Sequence, residues 1–258
     1  MKLTKIEWTE RVWNPSVGCD KVSAGCKYCY AEIFAKRLQA IGMKDYADGF
    51  KFKILPHRLE EPLMIKRPTK FFVNSMSDLF HEEMPFEYLD EIFDIIKRTP
   101  QHIYQILTKR EKRMLGYFST RNVPENVWLG VSVENGDYKA RIDYLRKVNA
   151  AVRFISFEPL IGPVGKLDLD GIHWAIVGGE SGIKARPIKK EWVEEIFRQC
   201  KEQKVAFFFK QWGTWGADEI KRNKKTNGRI FLGKEWNEYP ELKKELSDYN
   251  APLVHPAS

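Results

Sequence analysis

Short apolar runs alternate with polar segments along most of the chain. Six runs of hydrophobic and β-branched residues end in polar side chains, and they cover residues 71–78, 103–109, 127–134, 152–158, 174–180 and 205–210. Between them, residues 85–98, about 137–148 and 190–203 repeat apolar side chains every three or four positions, which is the spacing of an amphipathic helix. The pattern therefore predicts strands that alternate with helices.

Alternation of this kind is typical of parallel sheets, because a parallel strand needs a crossover connection before the next strand begins. A seventh strand near residues 11–14 brings the total to about seven β/α units. We predict an α/β fold, built as a complete or partial TIM-like (β/α) barrel of about six to seven parallel strands with a small C-terminal appendage. An open doubly wound sheet is the alternative architecture.

The pattern changes after Gly213. A basic run at residues 221–225 is followed by Asn227-Gly228, a pair that is common in the tight turns of β-hairpins. We therefore predict a barrel domain over residues 1–213, with a cluster-binding loop at residues 18–30. The appendage is predicted over residues 214–258 and contains a hairpin.

Each of the six predicted strands runs into a charged side chain. These residues are Asp78, Lys109, Glu134, Glu158, Glu180 and Lys210. One such residue indicates little, because any strand that leaves a core can end in a solvated charge. All six together favour a polar cavity, since the carboxyl ends of parallel strands meet at one edge of the sheet, where α/β barrels hold their ligands.

Composition and charge exclude several classes of protein. The 258 residues include 43 Lys and Arg against 35 Asp and Glu, which gives a formal net charge of +8. Hydrophobic residues make up 43 % of the chain, too many for a disordered or collagen-like protein. No apolar run approaches the roughly 20 residues of a membrane span, and residues 1–7 lack the apolar stretch of a signal peptide. We expect a cytoplasmic protein that does not enter membranes.

Three of the four cysteines lie within eleven residues. Cys19, Cys26 and Cys29 are spaced C-x6-C-x2-C, directly before a helix-like segment at residues 32–38. Free backbone N–H groups and the positive dipole end at a helix start favour thiolate, the form that binds metals. Four cysteines are too few for a disulfide scaffold, so the spacing predicts a metal site. Cys200 lies on the apolar face of its predicted helix, and we expect a buried core thiol there.

Two kinds of metal centre fit three clustered thiols. Structural zinc takes four protein ligands, and the fourth would have to be the distant His57, His81 or Cys200, because residues 1–50 contain no histidine. A four-iron cluster that is bound by three cysteines keeps one iron free for a substrate or cofactor. A fully ligated cluster is bound by four cysteines. The sequence favours the cluster and leaves zinc, or thiols without a metal, as alternatives.

A series of short segments in a fixed order resembles a known family. The segments are residues 13–15, 25–31, 74–81, 107–110, 129–135, 157–160, 177–182 and 209–213. Together with the three-cysteine loop, an aromatic Tyr28 before the last cysteine and the predicted barrel, they are similar to radical S-adenosylmethionine (SAM) enzymes. More narrowly, the chain resembles the three-Cys-motif radical-SAM-like family of phages and bacteria. It departs from the superfamily's usual C-x3-C-x2-C spacing, so the loop that holds the cluster must be larger.

The resemblance implies a set of site residues. Cys19, Cys26 and Cys29 would hold a 4Fe–4S cluster whose free iron binds SAM. The residues implied to surround SAM are Tyr28, Ser75, Ser77, Asp78, Lys109, Ser132, Glu134, Glu158, Gly178, Gly179 and Glu180. Lys109, Glu158 and Lys210 are candidates for positioning substrate or exchanging protons, and no residue is identified as the catalytic acid or base.

The resemblance also implies an activity. It is the reductive cleavage of SAM to a radical that acts on an unknown substrate, with electrons from a donor such as flavodoxin or ferredoxin. Nucleic acid is the leading substrate class, because the chain is basic and carries the run at residues 221–225. The alternative function is a non-enzymatic nucleic-acid-binding protein with a structural zinc site, in which Trp212, Trp215 and Trp236 are exposed and stack on bases.

Overall fold

A computed structural model describes residues 3–241, and this part of the chain forms nine strands and six α-helices. The strands are β1 (Arg11–Trp13), β2 (Ser16–Val17), β3 (Lys53–Ile54), β4 (Lys70–Val73), β5 (Ile103–Thr108), β6 (Val127–Ser132), β7 (Val152–Phe157), β8 (Trp174–Gly178) and β9 (Ala206–Gln211). The helices are α1 (Tyr30–Ala40), α2 (Phe86–Arg98), α3 (Glu111–Phe118), α4 (Arg141–Arg146), α5 (Lys190–Glu202) and α6 (Lys224–Asn227). Within these residues no helix combines the length and the apolar character that crossing a bilayer requires.

Seven of the strands form one sheet in the order β1-β4-β5-β6-β7-β8-β9, and every neighbouring pair is parallel. The contacts of Trp8 show that this sheet is curled. Its ring lies 4.7 Å from that of Phe72 in β4 and 6.1 Å from that of Trp174 in β8. In a flat sheet, four strand spacings would separate β4 from β8 by about 19 Å. The sheet is therefore a half-barrel, and the predicted partial barrel is confirmed over the open doubly wound sheet.

Apolar cores lie on both faces of the curled sheet. The outer core joins the sheet to α2 through residues such as Leu89 and Ile92, and it continues to α5. The inner core fills the concave side with aromatic rings, among them Trp8, Trp128 and Trp174. Because the strands are buried on both faces, they appear in the sequence as almost continuous apolar runs.

The predicted elements are found with small changes at their ends. The predicted helices at residues 85–98 and 190–203 are α2 and α5, whereas the one at residues 137–148 is shorter, formed by a 3₁₀ turn (Gly136–Tyr138) and α4. Helix α3 was not predicted. Its eight residues make barely two turns, too few for a helical period to stand out.

The segment after β9 packs along the edge of the sheet. Asn237 forms an antiparallel bridge with Phe208, and Phe231 is buried in the outer core. The predicted hairpin turn at Asn227-Gly228 is wrong, because these residues end α6. The side chain of Asn223 caps the start of this helix, and Gly228 follows it with φ 63° and ψ −154°, a backbone conformation that is essentially restricted to glycine. The rest of the predicted appendage, residues 242–258, lies outside the described residues.

Candidate functional site

A cavity of about 400 Å³ opens at the carboxyl ends of the strands, which is within the usual range for small-molecule sites. Most of the residues singled out in the sequence line it: Cys19, Cys26, Tyr28, Cys29, Ser75, Ser77, Asp78, Lys109, Ser132, Glu158, Gly179, Glu180 and Lys210. Glu134 and Gly178 are not among the lining residues and lie behind this wall. The polar strand ends and the three-cysteine loop therefore meet in one place.

The first cysteine is held by two neighbouring segments. The amide of Gly18 donates to the carbonyl of Met76 at 2.9 Å, and the amide of Cys19 donates to the carbonyl of Phe50 at 3.2 Å. Gly18 has a φ of +79°, and a Cβ atom there would lie 2.1 Å from the carbonyl oxygen of Lys51. Glycine is thus required where the chain turns into the cysteine loop.

Of the other two cysteines, Cys29 lies at a helix start, as the sequence indicated, whereas Cys26 does not. Cys26 ends a 3₁₀ turn (Ala24–Cys26), and Cys29 is the residue that precedes α1. Behind the turn, a Cβ atom on Gly25 would lie 2.4 Å from Oε1 of Glu134. That carboxylate accepts hydrogen bonds from the Ser23 hydroxyl and from Arg141 Nη1. Glu134 therefore anchors the cysteine loop from behind.

A buried arginine contacts the first cysteine. Arg110 Nη1 lies 3.3 Å from Cys19 Sγ and 3.4 Å from Asp78 Oδ2, while the Nε of this side chain has no hydrogen-bond partner within the described chain. Burial and the nearby Asp78 charge raise the pKa of Cys19 to about 11, although Arg110 acts in the opposite direction. The neutral thiol is the stable form here, so a metal that binds Cys19 displaces its proton.

Cys26 has a different electrostatic setting. Burial opposes its ionisation, but the Lys109 charge and hydrogen bonds from Ser23 outweigh burial and lower the pKa of Cys26. Lys109 Nζ donates to Ser132 Oγ at 3.1 Å, and no carboxylate of residues 3–241 lies within 4.0 Å of it. Lys109 thus offers an unpaired positive charge to the cavity beside Cys26.

The spacing of the sulfurs bears on the choice of metal. Over residues 3–241, the group of three or more histidine, cysteine or acidic residues whose ligand atoms all lie within 4.8 Å of one another is Asp20, His81 and Glu83. At least one pair of the three cysteine sulfurs is therefore farther apart than 4.8 Å. A tetrahedral zinc with bonds of about 2.3 Å holds its thiolates about 3.8 Å apart. At least one pair of sulfurs is therefore farther apart than two thiolates bound to one zinc ion.

The distant zinc ligands considered from the sequence have other partners. His81 Nε2 lies 3.1 Å from Asp20 Oδ2, and its Nδ1 accepts a hydrogen bond from the Glu83 amide. His57 pairs with Asp45 at 3.2 Å. Cys200 is fully buried in the outer core, where burial raises its pKa to about 12, so the predicted core thiol is confirmed.

The acidic strand ends that line the cavity are occupied by basic partners. Glu158 accepts two hydrogen bonds from Lys210 Nζ, at 2.8 and 2.9 Å. Glu180 pairs with Arg186. Asp78 accepts from the Thr108 hydroxyl at 2.7 Å, from the Lys109 amide and from Arg110. These carboxylates balance the charge of the cavity and fix the positions of its basic groups.

Other residues implied by the resemblance have structural partners of their own. Ser77 Oγ donates to the carbonyl of Gly18 at 2.7 Å, and Ser75 Oγ donates to Asn14 at 3.2 Å, so both serines help to hold the start of the cysteine loop. A Cβ atom on Gly179 would lie 2.0 Å from the Trp212 carbonyl oxygen. The glycine is required there by the close approach of the segment after β9.

Two arginines of this site were not identified from the sequence. Arg110 follows β5 directly, and a polar position after a strand end was the available signal. Arg186 lies in the long connection after β8, which has no recognisable pattern. Its guanidinium pairs with Glu180, donates to the carbonyl of Ala24 at 2.9 Å and lies 5.4 Å from the ring of Tyr28. Arg186 thus ties the cysteine loop to the end of β8.

None of the three tryptophans that were expected to be exposed and to stack on bases is fully exposed. Trp212 is buried in the outer core, and Trp236 packs edge to face on Phe197 with ring centroids 4.5 Å apart. Trp215 is half-buried, and its Nε1 donates to the carbonyl of Ala185. Burying apolar surface against the core is more favourable than leaving it in water, so the packing of these rings stabilises the segment after β9.

Comparison with known proteins covers nearly the whole described chain. One family model matches residues 3–240. The chain belongs to the DUF5131 family. The family is described as a protein of unknown function (DUF5131), so membership does not identify the reaction. Searches among curated proteins and among solved structures gave no match.

Proposed function

We propose that this protein is a radical SAM enzyme, with a 4Fe–4S cluster on Cys19, Cys26 and Cys29 and SAM in the adjoining cavity. The observation that carries the proposal is the convergence of all three cysteines on one cavity at the carboxyl ends of a partial barrel. Three thiols leave one iron of such a cluster free for a cofactor.

The donor set fits this assignment. The cysteines come from one loop that is held by Met76, Phe50 and Glu134, so their positions are fixed by the surrounding protein. When bound, the cluster and SAM supply the one-electron chemistry that amino-acid side chains lack. The protein contributes binding, orientation and exclusion of water.

The basic groups of the cavity have distinct parts in this proposal. Lys109 would attract an anionic group of cofactor or substrate beside Cys26, because its ammonium has no carboxylate partner there. Lys210 and Glu158 form a partly buried ion pair that lines the same cavity, and they would position a substrate or hold a proton on Lys210 Nζ. Arg110 donates to Cys19 and stabilises the thiolate form of that ligand once its proton is lost.

Anaerobic reconstitution with iron and sulfide tests the proposal. We expect a brown protein with broad visible absorbance that, after chemical reduction with dithionite, converts SAM to 5′-deoxyadenosine or methylthioadenosine. Cys26→Ala should lose the colour and the product. Cys200→Ala is the matched control and should keep both, since Cys200 lies in the core. A colourless wild-type protein that binds one zinc ion and yields neither product would contradict the proposal.

Nucleic acid stays a prediction for the substrate class, based on the net charge. The basic run gives it little further support, because Arg222 pairs with Asp218 and Lys221 donates to the carbonyl of Ile183. Binding of single-stranded DNA or RNA that weakens steeply with salt would support this substrate class. Binding that is absent or independent of salt would remove it.

A further inference from the structure

The outward face of α1 carries a stripe of large apolar side chains. The stripe consists of Tyr30, Ile33 and Phe34 of α1 together with Ile41, the residue that follows the helix, and their exposed fractions are 57, 45, 48 and 74 %. Tyr30, Ile33 and Phe34 follow the three-and-four spacing that puts residues on one side of a helix, and Ile41 comes seven positions, about two turns, after Phe34. Met43, just beyond the helix, is exposed as well. Scattered exposed apolar residues are ordinary, but a contiguous group on one helix face marks an interaction site.

The fold does not explain this stripe. The side of α1 that faces the protein is formed by Ala31 and Ala35, with Leu38 at its margin, packed against Val17 and Leu55. The larger apolar residues are thus in water and the small ones are inside, which is the reverse of an ordinary amphipathic helix. A surface that only had to be solvated would carry polar residues here, so we infer that a partner covers the stripe.

The charges around the stripe indicate the kind of partner. Lys27, Arg37 and Lys44 are exposed, and within the described chain no carboxylate lies within 4.0 Å of any of them. The acidic residue of this helix, Glu32, is already engaged by Lys21 and Lys36. An apolar centre with an unpaired basic rim complements a partner with acidic residues around an apolar contact.

The position of the stripe indicates what such a partner does. Helix α1 begins directly after Cys29, and Tyr30 both belongs to the stripe and lines the cavity. The hydroxyl of Tyr30 also donates to the carbonyl of Ser75. A protein bound on α1 therefore lies against the loop that would hold the cluster.

We propose that the outward face of α1 is the docking surface for an acidic electron-transfer protein of the flavodoxin or ferredoxin class. This inference rests on the proposed function. Transfer would move one electron from the reduced donor, which would be oxidised, to a cluster held by Cys19, Cys26 and Cys29, and no bond would be made or broken. The apolar stripe supplies contact area, and the basic rim steers the acidic donor to it.

Binding of a bacterial flavodoxin to the reconstituted protein tests the proposal. In Phe34→Ser/Ile41→Ser we expect the affinity and the rate of cluster reduction by reduced flavodoxin to fall about tenfold or more, the loss typical of removing central interface residues. SAM cleavage driven by dithionite should stay at the wild-type rate, because dithionite needs no docking surface. Ile230→Ser is the matched control, since Ile230 is an exposed isoleucine outside the stripe; it should leave flavodoxin binding unchanged.

A second variant tests the role of charge. Arg37→Glu should weaken flavodoxin binding strongly at low salt and much less at high salt, because exposed charges are screened. Hydroxyl-radical footprinting should find Phe34 and Ile41 accessible in the protein alone and protected when flavodoxin is added. Protection in the protein alone would overturn the proposal, since a second copy or residues 242–258 would then cover the stripe.

The two proposals fail in different ways. If the wild-type protein gives no SAM cleavage with dithionite, the proposed function is wrong. If it cleaves SAM with dithionite, but Phe34→Ser/Ile41→Ser still binds flavodoxin and accepts its electrons as the wild type does, only the docking surface is wrong.

Discussion

Helices α1 and α2 distribute their apolar side chains in opposite ways. In α2, Leu89, Ile92 and Ile96 are fully buried in the outer core, and the exposed face carries charged residues such as Asp90. In α1, small alanines are buried, and Ile33 and Phe34 are exposed. Folding alone accounts for α2, because its apolar residues stabilise the native state. The exposed residues of α1 contribute little to folding and are better explained by binding.

The contrast extends to the sequence signals of the two helices. The three-and-four spacing of α2 predicts both the helix and its buried face, since one set of contacts determines both. In α1 the same spacing marks the exposed face. The spacing of apolar residues can therefore predict a helix correctly and still misidentify its buried face, because apolar residues are needed both in a core and at a binding surface.

The largest effect on this comparison is expected from truncating the buried face of α2. Leu89→Ala should lower the free energy of unfolding by about 2–5 kcal/mol, because it removes a fully buried side chain and leaves a cavity. Urea denaturation followed by circular dichroism measures the change. Glu91→Ala, on the exposed face of the same helix, is the control and should shift stability by less than about 0.5 kcal/mol. A loss at Leu89 no larger than this control would show that α2 is not the core helix described above.

A second prediction concerns the small buried face of α1. Ala35 is fully buried among Val17, Tyr46, Leu55 and Met76. Ala35→Leu should cost about 1–3 kcal/mol, because a larger side chain overpacks this contact. The same substitution at the exposed Ala40 gives the control, and thermal unfolding separates the two variants. Equal melting temperatures would mean that α1 packs loosely, and that its alanines are not needed for close approach.

Much of the fold could be predicted because burial leaves a direct trace in the sequence. The parallel strands are buried on both faces, so their apolar runs are unbroken and their ends are marked by the first charges, such as Asp78 and Lys210. The cysteine loop was recognisable for a local reason, since Cys26 and Cys29 are separated by only two residues directly before a helix. Both signals lie within single segments of the chain.

Other features depend on contacts between distant segments. The half-barrel curls around Trp8, a single aromatic residue with no period to reveal its partners. Arg186 reaches the carbonyl of Ala24 across 162 positions of the chain. The hairpin at Asn227-Gly228 was predicted wrongly because glycine is common both after the end of a helix and in tight turns. Only tertiary structure decides between such outcomes.

The polar face of α2 gives a smaller, pH-dependent effect. Hydrogen bonds from Arg121, with a further one from Tyr117, hold the pKa of Asp90 below its ordinary value despite some burial. The ionised Asp90 side chain therefore stabilises the folded state fully above the ordinary aspartate pKa of about 3.9. This stabilisation is lost as the pH falls through the lower pKa that Asp90 has in the folded state. Asp90→Asn should cost about 0.2–1 kcal/mol at pH 7, the usual range for an exposed ion pair.

Urea midpoints of the wild type and Asp90→Asn, measured from pH 7 downwards, test this dependence. The two curves should converge as the solution becomes acidic. Asp94→Asn serves as the control, because Asp94 is exposed on the same helix and lies 3.7 Å from Arg98, a longer contact. A constant difference between the wild type and Asp90→Asn at every pH would exclude ionisation of Asp90 as its cause.

The smallest expected effect separates binding from folding most sharply. Phe34→Ser removes a large aromatic side chain, yet it should change the free energy of unfolding by less than about 0.5 kcal/mol, because about half of this residue is already in water and it lies outside the cores. Urea denaturation of the isolated protein measures the change, with Leu89→Ala as the reference for a residue that supports the fold. A loss of 2 kcal/mol or more, within the range of about 2–5 kcal/mol for buried truncations, would place Phe34 in the folding core. The stripe would then need no partner to explain it, and α1 would resemble α2 after all.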